Sequence, residues 1–62
     1  MIKATRMEKG YTQEEVARKL DISLRHYQKI ESYESFPSVI IAIHLSNILG
    51  RSINLLWDRY IK

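Results

Sequence analysis

The stretch "YTQEEVARKLDISLRHYQKIE", Tyr11 to Glu31, decides the fold. It reads as two short helices with almost nothing between them. Thr12 stands three residues before Glu15, the spacing of a capping box. In that motif the hydroxyl takes a free backbone N–H and the carboxylate reaches back to the cap. A helix is therefore expected over about 13–20, with Val16, Ala17 and Leu20 facing inward. Its outer face sets Glu14 against Arg18 and Glu15 against Lys19, at the i, i+4 spacing of helical ion pairs. Ser23 is a second good N-cap, and the pattern after it predicts a helix over about 24–32. Tyr27, Ile30 and Glu31 fall on its inner side. Leu24, Arg25, Gln28 and Lys29 fall on the outer side, with His26 at the flank. Ala17 is small enough for a following helix to cross closely at a steep angle.

The flanking segments read as helical too. A first helix is expected from about Ile2 to Lys9, ended by Gly10 in the left-handed C-terminal role. Pro37 and Ser38 open a fourth helix that Gly50 closes, and Ser52 caps a last one over about 53–60. Two Gly and one Pro punctuate the chain, and no strand-like alternation appears. The expected architecture is all-α: a compact five-helix bundle forming a single domain over residues 1–62.

Composition narrows the function. A chain of 62 residues buries only about 60 % of the surface its unfolded form exposes, so little of its core can be hollowed out for a substrate. There is no Cys to build a disulfide or a thiolate zinc site. "MIKATRMEKG" has no apolar h-region, so no signal peptide is expected. The apolar run "VIIAI", Val39 to Ile43, is far short of the roughly 20 residues that span a bilayer. A cytoplasmic protein is expected. His26 and His44 have no acid one helical turn away, and no Gly-rich phosphate loop is present. Neither catalysis nor a metal or other cofactor is expected.

Net charge is +3, mildly basic and compatible with a polyanionic partner. The distribution says more. The outer face of the third helix contains no acid. Arg can read guanine with two parallel hydrogen bonds, and Gln can do the same for adenine. Lys29 suits a guanine or a phosphate, and Leu24 a thymine methyl. A polar face with two cations is, taken alone, ordinary solvated surface. The short turn, the small residue at the crossing and the polar second helix together form the helix-turn-helix pattern.

The residues that carry the match are Arg6, "GYTQEEVARKL" (Gly10 to Leu20), Ile22, Ser23, Ile30, Glu31, Pro37, Ser38, Leu49, Gly50 and "INLLW" (Ile53 to Trp57). In these the chain resembles the phage-repressor/Cro type of helix-turn-helix, the Xre-like family with a lambda-repressor-like DNA-binding domain. The resemblance implies a phosphate contact at Gln13 and a cap with backbone contact at Ser23. It implies base reading by Leu24, Arg25 and Lys29, with His26 and Gln28 as contributors. It also implies a partly buried structural ion pair between Arg6 and Glu31.

Three departures stand out. Asp21 occupies a turn position where the family usually has Gly. The loop "SYESF", Ser32 to Phe36, carries Glu34 instead of basic residues, although Tyr33 could donate to a phosphate. Arg51 replaces an apolar residue and is expected to point outward.

The fourth helix offers Val39, Ala42, Leu45, Ser46 and Leu49 as a core stripe. Ile40, Ile41, Ile48, Leu56, Trp57, Tyr60 and Ile61 are surplus apolar residues, expected to form a homodimer interface of the kind the resemblance implies. The expected function is sequence-specific binding of the major groove of double-stranded DNA. The chain would be a small transcriptional regulator, a repressor acting by occupancy on palindromic operators, with no membrane and no small-molecule effector. The alternative is a protein-interaction module that kept the fold without DNA binding.

Overall fold

A computed structural model describes residues 1–58, and among these every regular element is helical. α1 spans Ile2–Lys9, α2 Gln13–Leu20, α3 Leu24–Glu31, α4 Val39–Leu49 and α5 Ile53–Leu56. The first three boundaries fall within one residue of the sequence reading. Trp57 leaves helical geometry at φ −121°, so α5 stops four residues short of its expected end.

The starts follow from side chains. The Thr12 hydroxyl accepts from the Glu15 N–H at 3.0 Å, and Glu15 Oε1 accepts from the Thr12 N–H at 2.8 Å, completing the capping box. Those bonds, the backbone N–H of Thr12 foremost, hold the Glu15 carboxyl below its ordinary value. The expected pairs of Glu14 with Arg18 and Glu15 with Lys19 are not among the ion pairs of the described residues. Glu15 is taken by the cap, and the Lys19 ammonium lies 5.3 Å above the Tyr11 ring. The Ser23, Ser38 and Ser52 hydroxyls likewise accept a backbone N–H at the starts of α3, α4 and α5, without a reciprocal carboxylate.

The stops of α1 to α4 share one device. A left-handed residue reverses the chain while its N–H and the next one return to carbonyls of the last turn. Gly10 and Gly50 do this after α1 and α4. Asp21 does it after α2 at φ 59°, as the departure at that position requires. Tyr33 does it after α3 at φ 64°, with Glu34 N donating to the Lys29 carbonyl at 2.9 Å. A tyrosine is sterically poor there. Its hydroxyl supplies compensation by donating to the Leu56 carbonyl at 2.7 Å, which ties the loop to the end of α5. The phosphate contact considered for Tyr33 is therefore corrected: that hydrogen is spent inside the molecule.

The core gathers Ile2, Val16, Ala17, Leu20, Tyr27, Ile30, Ala42, Leu45, Leu49, Leu56 and Trp57. Two sequence expectations are corrected by it. Val39 is 73 % exposed rather than part of the stripe. It is the first residue of α4, and helical side chains lean toward the N-terminus, so it projects past the edge of the core. Leu56 and Trp57 are completely buried, so they have no surface to give a partner. Of the other interface candidates, Ile40 is exposed, and Ile41 and Ile48 are half-buried against the core. Tyr60 and Ile61 lie outside the described residues.

Candidate nucleic-acid interface

Eight residues of α3 divide cleanly. Tyr27 and Ile30 are fully buried and Glu31 nearly so, whereas Leu24, Arg25, Gln28 and Lys29 are exposed. His26 is half-buried at the flank. Asp21, Ile22 and Ser23 make the whole connection from α2, and Ile22 N donates to the Ala17 carbonyl at 3.0 Å. Ala17, 3 % exposed, sits where the two helices meet. α3 is thus pinned at its start by the Ser23 cap and along its length by its underside.

Glu31 is the polar centre of that anchorage. Its Oε2 accepts from Arg6 Nε at 2.8 Å and from the Tyr27 hydroxyl at 2.6 Å. Its Oε1 accepts from Arg6 Nη2 at 3.2 Å and from Gln13 Nε2 at 3.0 Å. Arg6 spends a further N–H on the Tyr11 carbonyl at 2.8 Å. The side chains of the pair are 11 % and 5 % exposed. Burial pushes the Glu31 carboxyl up, but the bonds from Arg6, Tyr27 and Gln13 together outweigh it, and the group is held below its ordinary value. The bond to Glu31 raises Arg6, and burial followed by its own hydroxyl bond to Glu31 raises Tyr27 strongly. All three groups keep one protonation state near neutrality. The pair joins α1 to α3, and Gln13 adds α2.

The outer surface has different chemistry. A notch of about 300 Å³ lies between Ser23, Arg25, His26, Lys29 and Ser35. It is lined by two cations and two hydroxyls and by no acid. Leu24, 38 % exposed, stands at the other edge of the helix start. Such a ridge can present planar and point cations to phosphates and to the acceptors of base edges.

Ser23, Leu24, Arg25, His26 and Lys29 share the α3 face and its N-terminal end. Gln13 opens α2, as the helix-start reading requires, yet it is half-buried and already bonded. Its Oε1 accepts from Gln28 Nε2 at 3.2 Å, so Gln28 is tethered to α2 while exposed. Arg51, expected to point outward, pairs through Nη2 with Glu8 Oε1 at 2.8 Å. The Gln13–Gln28 tie and the Arg51–Glu8 pair were not foreseen. A partner 15 residues away, or 43, has no periodic signature.

Comparison with known proteins gives the following. Residues 2–56 match the family described as Helix-turn-helix. The chain is 43 % identical over 49 residues to a protein of Bacillus subtilis (strain 168) described as "Uncharacterized HTH-type transcriptional regulator YqaF". The match covers 79 % of this chain and 64 % of that protein, so the chain spans slightly under two thirds of that relative's length. No solved structure matches.

Proposed function

The chain belongs to the Cro/C1-type, Xre-like helix-turn-helix family, and from that premise we propose that α3 reads the major groove of double-stranded DNA. In this reading Arg25 and Lys29 meet bases or phosphates, Leu24 meets a thymine methyl, and His26 and Gln28 contribute. Ser23 and the N-terminus of α2 at Gln13 face the phosphate backbone, where free N–H groups and the helix dipole favour an anion. The observation that carries the reading is the acid-free cationic face of α3, exposed on a helix whose underside is bonded to α1 and α2.

The outcome of binding is occupancy. We take the chain to be a transcriptional repressor that blocks a promoter in the cytoplasm, with no catalytic step. One domain reads only a few base pairs. Two copies on a two-fold axis would read a palindrome with half-sites about 34 Å apart. Ile40, with the exposed edges of Ile41 and Ile48, is the surface proposed for that homodimer.

Selection of bound sequences from a random duplex pool tests binding, symmetry and spacing together. A symmetric enriched site supports the reading, whereas no enrichment above the starting pool rejects it. A second reading, a protein-interaction module, draws on the outer face of α4, where Val39 and Ile40 are 73 % and 68 % exposed. Salt separates the two. DNA affinity falls steeply with salt through counterion release, and an apolar protein contact does not.

A further inference from the structure

Gln28 ends a directional chain of hydrogen bonds that begins in the core. Glu31 is an ionised carboxylate and can only accept. Gln13 must therefore turn its Nε2 toward Glu31 Oε1, as it does at 3.0 Å. That leaves Gln13 Oε1 facing α3, and an oxygen needs a donor. Gln28 meets it with Nε2 at 3.2 Å, which turns Gln28 Oε1 away from α2. An exposed Gln without such a tether can flip its amide and show either end. Here the buried acid dictates which end is shown. Gln28 is exposed on α3, beside an open notch of about 230 Å³ that Gln13 and Glu31 also line.

Resting on the proposed DNA reading, we infer that Glu31 and Gln13 fix the polarity of Gln28 so that it offers a hydrogen-bond acceptor to the major groove and selects an amino-bearing base, adenine or cytosine, on the contacted strand. Adenine N6 and cytosine N4 are the major-groove amino donors, whereas guanine O6 and thymine O4 would face the oxygen with an acceptor. The base pair met by Gln28 is thus chosen by orientation: A·T or C·G over T·A or G·C. Gln13 acts here as a positioning residue, since it shapes this preference through Gln28.

The test is selection from a random duplex pool with the whole chain and its Gln28→Ala, Gln28→Lys, Gln13→Ala and Gln13→Met variants. Each variant is first checked for the buried Trp57 fluorescence of the folded chain. Gln13→Met keeps the length of the side chain and loses its polarity. Gln28→Ala identifies the position that Gln28 reads. At that position the unmodified chain should enrich adenine or cytosine about 3- to 10-fold, as one net hydrogen bond allows. Both Gln13 variants should reduce that ratio to about 2-fold or less while other positions keep their preference. Gln28→Lys, which can only donate, should invert it toward guanine or thymine.

The inference is overturned if Gln28→Ala changes no position, if the preference is already for guanine or thymine, or if the Gln13 variants weaken all sequences equally and leave it intact. Each of those outcomes leaves DNA recognition standing, because the unmodified chain still enriches a site. A chain that enriches nothing removes the DNA reading itself.

Discussion

α3 and α4 each bury one apolar face and differ in what they show to solvent. α3 hides Tyr27 and Ile30 and displays Arg25, Gln28 and Lys29. α4 hides Ala42, Leu45 and Leu49 and displays Val39, Ile40 and Ile43. Between Ser35 and Gly50 no Asp, Glu, Lys or Arg occurs. Folding constrains the buried faces: α4 satisfies it with packed apolar side chains, and α3 with Tyr27, Ile30 and the bonded Glu31 carboxylate. The outward faces are largely free of that demand, so their chemistry reports the surroundings each helix meets. A cationic, hydrogen-bonding face suits a polyanion with readable edges. An uncharged apolar face suits another apolar face.

If the underside of α3 is what holds the helix, removing its cation must destabilise the fold. Arg6→Ala would strand the Glu31 carboxylate among buried groups and should cost about 3–5 kcal/mol. Urea unfolding followed through Trp57, the single tryptophan and fully buried, measures it. Acid should loosen the same anchor. The Glu31 carboxyl lies below its ordinary 4.5 in the folded chain. Its contribution is therefore whole above about pH 4.5 and is lost as the pH falls through the folded value. Glu15 adds to the slope in the same sense. Glu31→Gln should leave a shallower dependence in the same unfolding experiment run across that window.

The outer face of α3 should behave in the opposite way. Arg25→Ala is expected to lose about 1–3 kcal/mol of binding and to relax preference at one base position, with stability changed by less than about 0.5 kcal/mol. Titration of a selected duplex beside thermal melting separates the two effects. Unchanged site preference would remove Arg25 from the base-reading set.

The loop that follows α3 sharpens the boundary between the faces. Tyr33→Phe removes the hydrogen bond to the Leu56 carbonyl and should cost about 0.5–1.5 kcal/mol of stability, read as a shift in urea midpoint. Its salt dependence of DNA binding should stay the same, because that hydroxyl serves the fold. A similarly small effect on stability is expected at α4. Ile40→Lys lies on exposed surface and should change folding by less than about 0.5 kcal/mol. Sedimentation at high concentration, with and without the selected duplex, should show self-association reduced. Unchanged association would move the proposed dimer surface elsewhere.

Much of the fold was legible because helix ends carry local chemistry. Thr12 with Glu15, and Ser23, Ser38 and Ser52, mark starts that the backbone confirms. Gly10 and Gly50 mark stops. The Arg6–Glu31 pair was available only through family resemblance, since its members are 25 residues apart. Other features had no local sign. The core stripe through Val39 was wrong at its first residue, since periodicity assigns a face and says nothing about where the opposing core ends. Surplus apolar residues near the end of the chain suggested an interface, but the fold used Leu56 and Trp57 for its own interior.

The sequence by itself determined the order of the helices, their caps and the acid-free composition of α3's outer face, because these depend on neighbours within a turn or two. Tertiary structure alone decided which of those polar groups stay available. It spent Tyr33 on Leu56, Arg51 on Glu8, and Gln13 on both Glu31 and Gln28. The physical reason is that a hydrogen bond requires particular donors and acceptors to meet within about 3 Å. Only the packing of helices distant in sequence brings these groups that close.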